Sequence, residues 1–386
     1  MSLLIFLLVV IKTEGFHSIN EVPNPINITF IDSAVSKGAV CLDGSPPAYH
    51  FDQGFGDGID NWLVYLEGGG WCETESECKA RALSTYGSSF RKPKVYYFNG
   101  VLSKNQMINP EFYNWNRVFV RYCDGSSFAG NVEAVNPATN LYYRGARIFK
   151  VVMEDLLEKG MKYASNAILT GCSAGGLATI LNCDRFRALV PSANRVKCIS
   201  DSGYFIHAKD VPGVKRREKR FAGVVRLHEL SNFLPSSCTS KRNPSLCLFP
   251  EYLVKDMETP LFLLNSLYDS WQITYNLKPH HGDEHGWKKC TKDTKLCSPG
   301  QLKTIRDFRM DFLKSLQEIG NSSCTGMFIN SCYLHCYTYS TERWNCAAGL
   351  GNTTIAQAIG DWYFDRDSFK GIDTMHDVPQ ECTQCL

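Results

Sequence analysis

The chain has 386 residues, 44% of them apolar and 12% aromatic. That composition can bury a large core and excludes both a disordered chain and a small disulfide-held scaffold. Lys and Arg number 41 against 39 Asp and Glu, a net charge of +2, so no global field steers the chain onto nucleic acid.

Leu3 to Ile11 are nine consecutive apolar residues. A bilayer span needs about 20, so the run reads as the core of a signal peptide, expected to end near residue 16. Seventeen cysteines agree with an oxidising, extracellular destination, as do the N-x-S/T sequons at Asn27, Asn321 and Asn352. The close cysteine pairs do not repeat as a zinc site would need, so disulfides are expected and no metal. Pairing is not readable from sequence. An odd count leaves one thiol over, and Cys172 is the expected free one.

The elements follow in order. Trp62–Leu66 (WLVYL) and Arg117–Arg121 (RVFVR) read as strands. Arg147–Leu157 has helical apolar spacing. Ala167–Thr170 is a strand before a glycine turn, and Gly175–Leu189 a helix. Val196–Ser200 and Pro260–Asn265 are strands, with a charged, turn-rich insertion near residues 208–252 between them. Leu302–Ile319 is a helix, Gly326–Asn330 a strand and Thr354–Tyr363 a helix. Apolar strands alternating with amphipathic helices predict an α/β fold, a mostly parallel sheet covered on both faces. With no repeat and no low-complexity linker, one domain from residue 17 to 386 is expected.

Gly171-Cys172-Ser173-Ala174-Gly175 is a G-x-S-x-G motif between a strand and a helix. A sharp strand-to-helix turn there projects the serine hydroxyl, and a Cβ at either glycine would clash. The Ala174 N–H then sits at a helix N-terminus, where a developing oxyanion is favoured. Cys172 is the alternative nucleophile but should point into the interior. Glu67-Gly68-Gly69-Gly70-Trp71 directly follows the WLVYL strand. The Gly69 and Gly70 N–H groups are candidate oxyanion donors. No Gly-Lys-Ser/Thr follows, so a phosphate loop is disfavoured.

Such sheets present Ser, then an acid, then His along the chain. Asp269, in the loop after the PLFLLN strand, is the candidate acid, and Asp201 is its competitor. His335, after the GMFIN strand, is the candidate base, and cysteines on both sides could pin its loop. His207, His285 and His376 are rivals. His280, His281 and His285 cluster in a hydrophilic loop that reads as surface. Ser173, His335 and Asp269 together predict a serine esterase that uses an acyl-enzyme and no cofactor.

The stretches YLEGGGWC (65–72), GCSAGGL (171–177), SDSGYF (200–205), TPLFLLNSLYDSWQ (259–272) and FINSCYLHC (328–336) resemble the plant pectin acetylesterases, a family related to the Notum carboxylesterases. The resemblance implies an α/β-hydrolase fold and a secreted cell-wall enzyme that removes acetyl esters from pectin, its polysaccharide partner. It places Ser173, Asp269 and His335 on the triad and Gly69, Gly70 and Ala174 on the oxyanion positions. Trp71, Tyr268 and Trp271 flank the expected site, as substrate contacts or as core aromatics. Lys215–Arg220 is a basic run, either a solvated face or a contact for polygalacturonate. A monomer without membrane insertion is expected. A Notum-like esterase for longer acyl groups on a protein, and a non-catalytic binding protein on the same scaffold, are the alternatives.

Overall fold

The computed structural model describes residues 24–208, 216–277, 284–319, 325–346 and 350–382. The expected signal peptide, Asn321, His280, His281 and Lys215 lie outside them.

Ten described strands form one sheet: β1 (Pro25–Phe30), β2 (Ala48–Asp52), β3 (Asn61–Leu66), β4 (Val95–Tyr97), β5 (Asn116–Val120), β6 (Asn166–Cys172), β7 (Arg195–Asp201), β8 (Leu261–Ser266), β9 (Thr325–Asn330) and β10 (Lys370–Ile372). Their order is β10-β9-β8-β7-β6-β3-β5-β2-β1-β4. From β10 to β5 every pairing is parallel. The β5–β2, β2–β1 and β1–β4 pairings are antiparallel. The expected parallel centre is present, and an antiparallel edge extends it.

Central strands are buried on both faces, as their unbroken apolar runs require. Along β3, Trp62, Val64 and Leu66 enter one core while Leu63 and Tyr65 enter the other. The first core is covered by α2 (Gly145–Glu158), α3 (Ala174–Leu189) and α8 (Pro299–Gln317), and the second by α10 (Ile355–Tyr363). The remaining helices are α1 (Glu75–Ala82), α4 (Arg216–Leu227), α5 (Ser236–Thr239), α6 (Ser270–Asn276), α7 (Glu284–Cys290) and α9 (Thr341–Trp344). No helix among the described residues is long and apolar enough to cross a membrane.

The disulfides between described residues include Cys41–Cys123, Cys183–Cys198 and Cys332–Cys382. Cys172 corrects the expectation of a free thiol. It is bonded to Cys336, 164 residues away, with the Cα atoms 5.7 Å apart. Cys172 is buried as expected. Its partner lies on a strand-end loop that sequence separation hides.

The basic run is not one solvated face. Lys219 is exposed, but Arg217 is buried and donates to Gln272 Oε1 at 2.9 Å and to Asn276 Oδ1 at 3.0 Å. Of the other two sequons, Asn27 on β1 and Asn352 are both exposed.

Candidate active site

Parallel strands deliver their carboxyl ends to one edge of a sheet, where ligands gather at the loops. Here β3 leads into Gly68–Gly70, β6 into Ser173, β8 into Asp269 and β9 into the loop of His335. The register Leu66↔Gly171 brings the ends of β3 and β6 level, and Ser266↔Asn330 those of β8 and β9.

Ser173 has φ +60° and ψ −124°, a strained conformation for a residue with a side chain. Its surroundings enforce it. A Cβ on Gly175 would lie 2.0 Å from the Leu66 carbonyl oxygen, and one on Gly171 would lie 2.6 Å from that same atom. Strand β3 and helix α3 can approach this closely only with glycine on both sides of the serine. The turn leaves Ala174 as the first residue of α3, whose N–H has no partner within the helix.

Gly69 and Gly70 have φ +140° and +68°. Their carbonyls turn toward Arg81, which donates to Gly69 O at 2.9 Å and Gly70 O at 3.4 Å, and Tyr122 Oη donates to Gly70 O at 2.8 Å. Neither glycine's N–H donates to a protein acceptor among the described residues. The loop is thus fixed through its carbonyls with its donors left over.

Asp269 is fully buried. Its Oδ2 lies 2.8 Å from His335 Nδ1, and its Oδ1 accepts the Gln272 N–H at 2.8 Å, capping α6. Burial pulls the His335 pKa down. The charge and hydrogen bond of Asp269, aided by the charge of Asp201, outweigh it and hold the pKa above the ordinary value. His335 Nε2 is buried with no protein partner among the described residues. Ser173 and His335 line the same cavity, of about 510 Å³. They do not hydrogen-bond to each other, a contact that commonly tightens only with substrate bound.

Asp201, the competing acid, serves a different purpose. Its carboxylate is buried and accepts from the N–H groups of Tyr337 and Thr338, each at 2.8 Å, and from the Thr338 and Ser202 hydroxyls. It clamps the chain just after His335. Arg343 adds bonds to the carbonyls of His335 and Cys336. His207 bonds to Tyr252 Oη and His376 to Asp373, while His285 is exposed. None of these three lines the cavity.

Trp71 and Trp271 line the cavity, but Tyr268 is fully buried and does not. Trp71 packs edge-on against Phe205, Phe221 and Trp271 at centroid distances of 5.0, 5.3 and 5.6 Å. Its indole N–H donates to Ser127 Oγ, which donates to Ala174 O. Tyr65, Tyr86, Tyr96, Tyr339 and Arg220 also line the cavity. The sequence analysis reached Arg220 only as part of the basic run and Tyr65 only as part of a strand, and it missed Tyr86, Tyr96, Tyr339, Arg81 and Ser127. These five come from segments without a motif, which the folded chain brings to the cavity or to residues that line it.

Cys72, Cys78 and His228 gather closely elsewhere, as do Cys172, Cys336 and His335. Each pair of sulfurs is joined in a disulfide, which removes the thiolates a zinc site requires.

The sequence model of the pectinacetylesterase family matches residues 19–385. The chain belongs to the pectinacetylesterase family. Pectin acetylesterases 7 and 11 of Arabidopsis thaliana are 51% and 48% identical to it, each over 90% of both chains. Palmitoleoyl-protein carboxylesterase notum2 of Xenopus laevis is 26% identical over 90% of this chain and 71% of its own. A solved structure of the Wnt deacylase Notum from Drosophila superposes with a TM-score of 0.78. It covers 94% of this chain and all of its own at 22% identity, a likeness of fold. This pectinacetylesterase-family member is a carboxylic ester hydrolase with an α/β-hydrolase fold.

Proposed function

We propose that the protein is a secreted serine esterase that removes acetyl groups from pectin in the cell wall. The observation that carries the mechanism is one cavity walled by both Ser173, held at positive φ, and His335, whose Nδ1 is taken by Asp269. That hydrogen bond fixes the tautomer with the proton on Nδ1 and leaves Nε2 as the base. Nε2 takes the proton of Ser173 Oγ as the oxygen attacks the ester carbonyl. The N–H groups of Gly69, Gly70 and Ala174 receive the oxyanion, donors each worth about 10²–10³ in rate. The protonated His335 then gives its proton to the departing sugar hydroxyl. Water, activated by the same Nε2, attacks the acetyl-serine and releases acetate. Every step uses side chains and amides of this chain.

Two features support an acetyl ester on a sugar. Trp71 and Trp271 line the cavity of the serine and are locked by ring packing with Phe205 and Phe221, a rigid aromatic wall that favours a short acyl group. Tyr86, Tyr96, Tyr275 and Tyr339 on the cavity wall suit a sugar ring, since a tyrosine offers an apolar face and a hydroxyl. The names of the Arabidopsis relatives agree.

The test is acetate release from acetylated pectin, alongside hydrolysis of acetyl and octanoyl p-nitrophenyl esters. Acetate release with a preference for the acetyl ester is expected. A strong octanoyl preference, with no release from pectin, overturns the assignment in favour of a longer acyl substrate.

A further inference from the structure

Among the described residues, the acidic and basic side chains that line the cavity of Ser173 are Glu67, His335 and Arg220. Two are committed. Glu67 is held by Lys92, by Arg121 and by the N–H of Tyr122, and His335 by Asp269. The other nearby cations are engaged as well. Arg81 donates to Gly69, Gly70 and Tyr86 carbonyls, and Arg343 to those of His335 and Cys336. Lys92 and Arg121 are almost wholly buried beside Glu67.

Arg220 differs. Its side chain is 35% exposed, and it meets Glu73 in a long ion pair of 3.5 Å. Helix α4 is fastened around it. Phe221 packs on Trp71, Arg217 is buried against Gln272 and Asn276, and a Cβ on Gly223 would come within 2.8 Å of Glu73 Cβ. The fastening holds Arg220 at the wall of the cavity while leaving its guanidinium open to a ligand.

We propose that Arg220 binds the carboxylate of a uronate ring at or beside the acetylated sugar, so that the enzyme prefers the acid form of the polymer. A guanidinium presents a planar fork that matches a carboxylate. The proposal rests on the reading of pectin as substrate. Methyl esterification separates the two, because it removes the carboxylate's charge and keeps the acetyl ester.

The experiment compares wild type, Arg220→Gln and Arg220→Lys on acetylated polygalacturonate in its acid form and on the same polymer methyl-esterified. Rates are normalised to p-nitrophenyl acetate hydrolysis. The ratio of kcat/KM, acid over methyl-esterified, should fall about tenfold in Arg220→Gln, chiefly through KM. Lysine should restore part of it. In wild type the ratio should shrink as salt is added. An equal ratio in wild type and Arg220→Gln overturns this proposal alone. Wild-type protein that cleaves p-nitrophenyl acetate but neither polymer overturns the substrate reading, and this proposal with it.

Discussion

Asp269 meets His335 through one carboxylate oxygen, Oδ2 at 2.8 Å from Nδ1, and caps helix α6 through the other. The acid that orients the proposed base is therefore itself fixed by a backbone donor. Asp269→Asn keeps the shape and can keep the cap, but it turns the imidazole toward the wrong tautomer. A fall in kcat of about 10⁴ is expected, with the melting temperature nearly unchanged. Steady-state kinetics and a thermal melt check both. Activity within tenfold of wild type would remove Asp269 from the mechanism.

The pH dependence follows from the raised pKa of His335. The base works when neutral, so kcat/KM should rise with pH through an apparent pKa above about 6.5. Stability moves the other way. A histidine with a raised folded pKa contributes stability in full below its unfolded pKa, and the contribution is lost as pH rises through the folded value. In Asp269→Asn the acid limb of the rate profile should shift to lower pH. A wild-type limb well below the ordinary histidine value would contradict the reading.

Asp201 should behave unlike Asp269. Asp201→Ala strips acceptors from two buried N–H groups, those of Tyr337 and Thr338. Each orphaned donor costs about 1–3 kcal/mol, so a loss of about 3 kcal/mol or more is expected in denaturant unfolding. Activity should fall too, because the His335 loop loses its clamp. A variant as stable as wild type would show that the clamp is dispensable.

The Cys172–Cys336 disulfide joins the residue before Ser173 to the residue after His335. Replacing both cysteines with alanine should lower kcat as well as stability. Replacing the Cys238–Cys247 pair, only nine residues apart, should lower stability alone. Loop-closure entropy sets limits of about 5 kcal/mol for the first and about 2.5 for the second. Melting curves and kinetics of the two double variants test this, and equal kcat in both would contradict it.

Much of this was legible before folding. WLVYL, AILT, VKCIS, PLFLLN and GMFIN became strands of the parallel part of the sheet, because a strand buried on both faces is mostly apolar. The ends of those strands carry Ser173, Asp269 and His335, so the order of the proposed triad could be read along the chain. The antiparallel edge could not. In β2, Asp52 pairs with Arg117 and His50 bonds to the Ile26 carbonyl, so its polar residues are satisfied only across strands. Helix α8 begins at Pro299, three residues before its apolar periodicity, because the Ser298–Gln301 capping box starts it. The Cys172 partner, the Asp201 clamp and the approach of Arg220 depend on contacts between segments far apart in sequence, for which periodicity carries no signal.

Acetylation of Ser173 is the step on which the mechanism stands. Wild-type and Ser173→Ala protein, made in a secretory host, would be quenched during turnover of an acetyl ester and the active-site peptide examined by mass spectrometry. One acetyl group on Ser173 is expected in wild type. It should be absent from the variant, whose rate should fall by about 10⁶. Turnover that survives in Ser173→Ala, or an acetyl group carried by another residue, would contradict the serine mechanism.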